Sequence, residues 1–120
     1  MGFLSNTLCA AESPQPNIPF ILADDLGYAD IGFNGCEDIK TPNVDKLAKR
    51  GTIFTSHYVQ PVCTPTRAAL LTGRYPHRTG VYSTINAQRP ALFQLNERLL
   101  SEGLRDAGYG TAVCGKWHLG

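Results

Sequence analysis

Apolar residues cluster along this chain in short runs whose ends are marked by proline, glycine and acidic residues. Residues 18–23 are almost continuously apolar and lead into two aspartates, which is typical of a strand buried on both faces. Pro19 removes one ladder donor, so we expect it at the first residue of that strand or at a bulge. Residues 52–59, rich in β-branched and aromatic side chains, predict a second strand, and residues 109–114 predict a third.

Helix signals lie between these strands. Thr41 is a predicted cap, Pro42 suits the first turn and Gly51 ends the helix, whose apolar stripe comprises Val44, Leu47 and Ala48. A later helix is predicted from the cap Asn96 to Gly108, with Leu95 and Leu100 as a hydrophobic staple and a buried face of Leu100, Leu104 and Ala107. Strands alternating with helices predict a parallel sheet with crossover helices.

The run Cys63-Thr64-Pro65-Thr66-Arg67 predicts a third helix. If it starts at Pro65, Cys63 lies at its N-terminus, where unpaired N–H groups and the helix dipole favour negative charge. Arg67 would follow one turn along, placed to bind an oxyanion through two N–H groups. Thr72-Gly73 would end the helix, and its anchors would be Ala68, Leu70 and Leu71. The alternative is a buried structural cysteine before a short helix.

Two further groups of polar residues follow predicted strands, at the edge of a parallel sheet where ligands bind. Asp24 and Asp25 are adjacent carboxylates that repel each other unless a cation neutralises them, although an ordinary Asp-Asp turn is the alternative. Lys116 and His118 alternate after the third strand, so we expect their side chains on one face. As an isolated pair they would more often be surface residues.

Composition excludes several classes of function. The 11 basic residues nearly balance the 10 acidic ones, so the net charge of +1 gives no case for binding nucleic acid or an anionic membrane. The longest apolar run is far too short to span a bilayer. The four cysteines show no Cys-x-x-Cys spacing, which argues against a zinc or thioredoxin-type site, and pairing of Cys36 with Cys114 is left open.

Three stretches together resemble the sulfatase family. They are the Cys63–Arg67 run with Leu71-Thr72-Gly73-Arg74 downstream, residues 17–28 around Asp24-Asp25, and the terminal Gly115-Lys116-Trp117-His118-Leu119-Gly120. Their order and spacing match the family, and residues 57–62 and 73–76 are most similar to its arylsulfatase B-like branch. The resemblance runs from about residue 17 to residue 120.

The resemblance implies an α/β fold of the alkaline-phosphatase-like type, with a mixed, mainly parallel sheet and helices on both faces. Complete sulfatases are several times longer, so we expect only the N-terminal part of that catalytic domain in residues 17–120. Residues 1–16 are then a leader or signal-peptide remnant followed by a linker. An extracytoplasmic location (secreted, periplasmic or lysosomal) goes with this interpretation.

The resemblance also implies a set of roles. A formylglycine-generating enzyme would oxidise Cys63 to Cα-formylglycine. Residue 63 would then bind a divalent cation, usually calcium and in some members magnesium, together with Asp24 and Asp25. Arg67 and Lys116 would hold the sulfuryl group, and His118 would hydrogen-bond the formylglycine hydroxyl and accept its proton. The remaining metal ligands and the general acid normally come from beyond residue 120.

The implied activity is arylsulfatase-type hydrolysis of sulfate monoesters, with sulfated carbohydrate weakly favoured as substrate. One alternative is a phosphoesterase or phosphonate hydrolase of the same superfamily, since some phosphonate hydrolases also carry formylglycine. The other is an inactive fragment that acts only as a binding module.

Overall fold

A computed structural model describes residues 15–86 and 96–120. Within these ranges the chain forms four α-helices, preceded by two short 3-10 helices at Tyr28–Asp30 and Gly32–Asn34. The α-helices are α1 (Pro42–Arg50), α2 (Cys63–Thr72), α3 (Pro76–Thr79) and α4 (Leu100–Asp106). The predicted leader up to residue 14, and Leu95 of the predicted staple, lie outside the described residues.

The three predicted strands are not formed within the described ranges. Residues 18–23, 52–59 and 109–114 carry no strand assignment, so the parallel sheet is not confirmed by this chain. A strand forms only where its N–H and C=O groups bond to a neighbouring strand, and these segments do not pair with one another. Their apolar side chains are accordingly exposed, among them Ile21, Phe54 and Val113.

Helix α1 has the predicted bounds, between Thr41 and Gly51. The Thr41 hydroxyl does not cap the helix backbone. It donates to the Asp45 carboxylate at 3.0 Å and accepts the N–H of Gly32 at 2.8 Å, which ties α1 to the preceding 3-10 turn. The predicted apolar stripe is not buried, since Leu47 is 66% exposed.

Helix α2 begins at Cys63, two residues before the predicted start at Pro65. The proline is tolerated in the third position because N–H groups of the first turn have no partner within a helix. The predicted end is confirmed. Gly73 adopts a left-handed conformation with φ of 66°, and its N–H bonds to the Ala69 carbonyl at 2.9 Å.

Helix α4 begins at Leu100 rather than after Asn96. The Leu99 N–H donates to the Glu102 carboxylate at 2.8 Å, so Leu99 is the cap and the start moves along the chain. The predicted buried face of this helix is wrong for the described residues, because Leu100 and Ala107 are exposed.

A small core holds α2 against two distant parts of the chain. Ala68 of α2, Val81 and Leu119 are almost completely buried, and Leu71 packs against them. These contacts bring residue 119 beside α2, so the residues just before it lie near the N-terminal half of that helix.

Cys36 and Cys114 are free thiols, so the disulfide that the sequence left open is not formed. No helix among residues 15–86 and 96–120 has the length and apolar character needed to cross a membrane.

Candidate active site

A cleft of about 260 Å³ opens between the N-terminus of α2 and the segment around residues 22–26. Asp24 and Asp25 line one side, and Cys63 and Arg67 line the other. Two motifs that lie about 40 residues apart in the sequence therefore share one cavity. The terminal motif joins them through a hydrogen bond from Lys116 to Asp24 and a contact between His118 and Cys63.

Cys63 is the first residue of α2 and faces an imidazole. Its Sγ lies 3.2 Å from Nδ1 of His118 and 3.9 Å from Oγ1 of Thr84. The sulfur is also close to the unpaired N–H groups at the start of α2, where the helix dipole favours negative charge. A nucleophile at position 63 would thus have a base within hydrogen-bonding reach.

The second ring nitrogen of His118 fixes which nitrogen carries the proton. Nε2 lies 3.3 Å from the carbonyl oxygen of Ile85, and a carbonyl can only accept a hydrogen bond. Nε2 therefore donates, and in the neutral imidazole Nδ1 presents its lone pair to Cys63.

Lys116 and His118 reach the site by a route that differs from the predicted alternation along a strand. Gly115 and His118 have positive φ angles of 100° and 55°, so the backbone turns here instead of extending. A left-handed conformation is unusual for histidine, and such residues concentrate at functional sites. The turn brings His118 onto Cys63 while Lys116 reaches Asp24.

Asp24 is bound by two cations. Its Oδ2 accepts a hydrogen bond from Lys116 Nζ at 2.8 Å, and its Oδ1 accepts one from Arg67 Nη2 at 3.2 Å. The ammonium of Lys116, and then the guanidinium of Arg67, lower the pKa of the Asp24 carboxyl group. The same contact with Asp24 raises the pKa of Lys116. The Asp24 carboxylate thus holds both side chains at the edge of the cleft.

Arg67 is the most buried charged group of this cluster, with a side chain 12% exposed. Its Nη1 donates to the Lys116 carbonyl at 2.6 Å, which fastens the terminal motif to α2. Its Nε is buried and has no partner among the described residues. A buried donor without a partner costs free energy, so this N–H is an unsatisfied polar group of the site.

The described residues do not form a complete cation site. Within residues 15–86 and 96–120 no three histidine, cysteine or acidic side chains are grouped closely enough to hold an ion. Both oxygens of Asp24 are engaged by cations, and Asp25 lines the cleft with a left-handed backbone at φ of 55°. The two carboxylates are of the right type for a hard cation but too few in number.

Sequence reasoning missed several residues of this site. Thr84 and Ile85 reach Cys63 and His118 from a stretch without any motif, so no sequence signal could have found them. Glu97 was also missed, although its partner Arg74 belongs to the motif. Arg74 Nη1 donates to both Glu97 carboxylate oxygens, at 2.6 and 2.7 Å, and so holds the segment before α4 to the end of α2.

Comparison with known proteins gives one consistent family. A family profile described as Sulfatase matches residues 16–120. Arylsulfatase J of Mus musculus is 46% identical over 92% of this chain and 18% of its own length. N-acetylgalactosamine-6-sulfatase of Mus musculus is 47% identical over 94% of this chain and 24% of its own length.

A solved structure agrees with the sequence matches. The crystal structure of Ps i-CgsB in complex with k-i-k-neocarrahexaose superposes with a TM-score of 0.75 at 47% sequence identity. The match covers 81% of this chain and 22% of that one. This chain thus spans between about a fifth and a quarter of the length of the proteins it matches.

Proposed function

Because the chain belongs to the sulfatase family, we propose that it carries the nucleophile side of a sulfuric ester hydrolase site. The reaction is hydrolysis of a sulfate monoester, and the activity belongs to a polypeptide of the length of the relatives. The alkaline-phosphatase-like sheet around the site, with residues 17–120 as its N-terminal part, is included in this proposal. An extracytoplasmic location is a further prediction of the same interpretation.

One observation carries the proposal: three separate motifs supply a nucleophile position, a base and two cations to one cleft. Cys63 faces His118 at 3.2 Å, and Arg67 and Lys116 flank the same opening through their contacts with Asp24. A sulfate ester carries negative charge on its non-bridging oxygens, and that charge must be stabilised during transfer. The cleft therefore combines a nucleophile position, a base and positive charge, which sulfuryl transfer requires.

Residue 63 acts after its conversion to Cα-formylglycine by a formylglycine-generating enzyme, the partner implied by the motif. Hydration of the aldehyde supplies two hydroxyls. When one attacks sulfur, the bond from sulfur to the ester oxygen breaks, and the alcohol leaves with a proton that replaces the one lost by the attacking hydroxyl. Deprotonation of the second hydroxyl then restores the aldehyde and expels sulfate. His118 Nδ1, with its lone pair directed at residue 63, accepts the proton of the second hydroxyl. Throughout, Nε2 keeps its own proton and donates it in a hydrogen bond to the Ile85 carbonyl.

Arg67 and Lys116 bind the sulfuryl oxygens. Arg67 has an unpartnered buried Nε that suits an anionic oxygen in the cleft. Lys116 Nζ is more exposed and is able to swing from Asp24 to the substrate. Their charges oppose the negative charge that builds up during transfer.

Asp24 and Asp25 are proposed to contribute oxygen ligands to a divalent cation, calcium or alternatively magnesium, which is completed by groups outside the described residues. The cation supplies Lewis-acid polarisation when it is bound. Its support here is the ligand type of the two carboxylates and their place in the cleft.

Sulfated carbohydrate is the proposed substrate class. Support comes from two similar proteins, one named for a sulfated amino sugar and one solved with a neocarrahexaose. The cleft residues named here contact the sulfuryl group, so they do not by themselves select among sugars.

The test is co-expression with a formylglycine-generating enzyme of a polypeptide that contains this chain and spans the length of the relatives. Peptide mass spectrometry should find an aldehyde at residue 63, and sulfate monoesters should be hydrolysed faster than matched phosphate monoesters. Cys63→Ala should lower the rate by at least about 10³-fold. Cys36→Ala, at a free thiol that does not line the cleft, is the matched control. An unmodified thiol, where a control sulfatase is converted, would contradict the proposal, and preference for phosphate would favour a phosphoesterase.

A further inference from the structure

We propose that Thr64 is a positioning residue for His118, acting through the backbone N–H and C=O of Ile85. It holds the imidazole in the tautomer whose Nδ1 is free to accept a proton. This inference deepens the proposed function and rests on it for its catalytic meaning. Its structural content is a chain of three hydrogen bonds, and the effect of that chain on the His118 tautomer can be measured without catalytic turnover.

The first link joins Thr64 to Ile85. Thr64 is completely buried in the first turn of α2, and its Oγ1 accepts the Ile85 N–H at 3.3 Å. The two residues lie 21 positions apart, so this bond fixes a distant segment against the start of the helix. A valine would fill nearly the same volume but could not accept that N–H, and a buried N–H without a partner is costly.

The second link joins Ile85 to His118. The Ile85 carbonyl accepts the Nε2 proton at 3.3 Å across 33 residues of sequence. The N–H and C=O of Ile85 belong to successive planar peptide groups, joined by the φ and ψ of this residue. The Thr64 bond holds the first of these groups beside α2, which restrains the position of residue 85 and with it the carbonyl that His118 contacts. The bond from Nε2 therefore selects the Nε2–H tautomer, as a partner on one ring nitrogen does for the other.

The third link joins His118 to Cys63, the residue proposed to react. With the proton on Nε2, Nδ1 lies 3.2 Å from Cys63 Sγ and can only accept. The opposite tautomer would direct an N–H at residue 63, and the imidazole could not take a proton from a hydroxyl there. Two hydrogen bonds thus connect the buried hydroxyl of Thr64 to the ring of His118, whose Nδ1 accepts the proton.

A purely structural role for Thr64 predicts a different outcome. Thr64 packs in the first turn of α2, so any change there could alter stability alone. Thr79 provides a matched control, because it is 3% exposed and its hydroxyl bonds within its own turn, to the Pro76 carbonyl and the Val81 N–H. Thr64→Val and Thr79→Val remove equivalent buried hydroxyls, but only the first touches the Ile85 peptide.

The primary experiment is ¹⁵N NMR of the histidine rings in the unconverted protein, at a pH where the imidazole is neutral. His118 signals are assigned by their loss in His118→Gln. We expect the Nε2–H tautomer in the native protein, in Thr79→Val and in Thr64→Ser, which restores the hydroxyl. Thr64→Val should give a mixture of both tautomers. An Nδ1–H tautomer in the native protein, or an unchanged tautomer in folded Thr64→Val, would overturn the proposal.

A second experiment measures steady-state hydrolysis of a sulfate ester after conversion of residue 63. Thr64→Val should lower kcat about tenfold with KM unchanged, the size expected from one lost hydrogen bond, and Thr64→Ser should recover most of it. Equal losses in Thr64→Val and Thr79→Val would overturn the positioning role. If Thr64→Val does not fold, Thr64→Ala serves in both experiments with the same expectation. Absence of any turnover would defeat the proposed function while the tautomer measurement still decides this inference.

Discussion

The segments that meet at the cleft and the segments that lead away from it are stabilised in different ways. At the cleft, three buried apolar residues hold α2, Val81 and residue 119 together, and polar contacts that span up to 92 positions join Asp24, α2 and residues 115–119. Away from it, residues 52–58, α1 and α4 carry exposed apolar side chains such as Phe54, Leu47 and Leu100. Their local structure depends on caps and turns.

The difference shows that the side chains of a site can be held by more long-range contacts than the segments around it. Arg67 alone connects α2 to Asp24 and to the Lys116 backbone, so one buried side chain orders two motifs. The outer segments have apolar patterns of strands and helices but lack neighbours among the described residues. Substitutions at the cleft should therefore have large effects, and matched substitutions in the outer segments should have small ones.

The largest contrast is expected between two histidines. His118→Gln removes the ring that faces Cys63 and should lower kcat/KM for sulfate ester hydrolysis by about 10²–10⁴-fold, the usual contribution of a positioned base. His57→Gln changes a ring in the outer segment 52–58 that contacts Phe54, and it should leave the rate nearly unchanged. Both are measured in a polypeptide of the relatives' length with converted residue 63. Equal losses would remove the distinction between the two regions.

The next contrast is between two leucines and concerns stability. Leu119→Ala, in the core beside α2, should lower the free energy of unfolding by about 2–5 kcal/mol because it leaves a cavity. Leu47→Ala, on the exposed stripe of α1, should change it by less than about 0.5 kcal/mol. Urea denaturation of both variants and the native chain measures the difference. A larger loss for Leu47→Ala would mean that the α1 stripe is covered in solution.

A smaller effect is expected from calcium added to the 120-residue chain. Because Asp24 is engaged by Arg67 and Lys116, and no three ligands are grouped among the described residues, binding should be weaker than about 10⁻³ M. Calorimetric titration should give the same weak heat for the native chain and for Asp24→Asn. Tight binding at a ratio of one, lost in Asp24→Asn, would show that the chain holds a complete site.

The smallest effect concerns the pH dependence of stability. The pKa of Asp24 is lowered in the folded chain, below the unfolded value of about 3.8, by Lys116 and then Arg67. Its contribution is therefore fully present above that value and is lost as the pH falls through the folded pKa. The contribution should be small because both partners in the Asp24–Lys116 contact are 42% exposed and solvent screens them.

Urea midpoints between pH 6 and pH 2 are the measurement, with Asp24→Asn compared to the native chain. The native chain should be slightly more stable at pH 6, and the difference should vanish towards pH 2. Asp38→Asn, at an exposed aspartate away from the cleft, is the control substitution. A difference that grows as the pH falls would contradict the lowered pKa.

Local signals predicted several helix ends correctly, but they did not predict which residues pack against the helices. Thr41-Pro42 and Gly51 gave the bounds of α1, and Gly73 gave the end of α2, because caps act within one turn of the backbone. The start of α4 was wrong because the Glu102 carboxylate bonds to Leu99 and moves the cap away from Asn96. Apolar stripes were identified from period alone, which says which face could be buried and not what covers it.

The strands show the limit of periodicity most clearly. Residues 18–23 have the apolar character of a buried strand, but strand formation depends on a partner backbone that no local pattern supplies. The family match and the superposed crystal structure support the fold class at the level of the family. The register of a sheet depends on which strands pair with each other, so it could not be predicted from residues 18–23 alone.

The sequence by itself determined the family, the bounds of α1, the end of α2 and the residue types at the cleft. These depend on local order: Cys63 and Arg67 lie one helical turn apart, Asp24 is beside Asp25, and Lys116 is near His118. Only the tertiary structure decided their partners. Asp24 meets Lys116 across 92 residues, and His118 meets Ile85 across 33, in a stretch with no motif. Hydrogen bonds between distant residues depend on how the backbone folds back on itself. The tautomer of His118 is therefore a consequence of packing that the order of residues alone does not reveal.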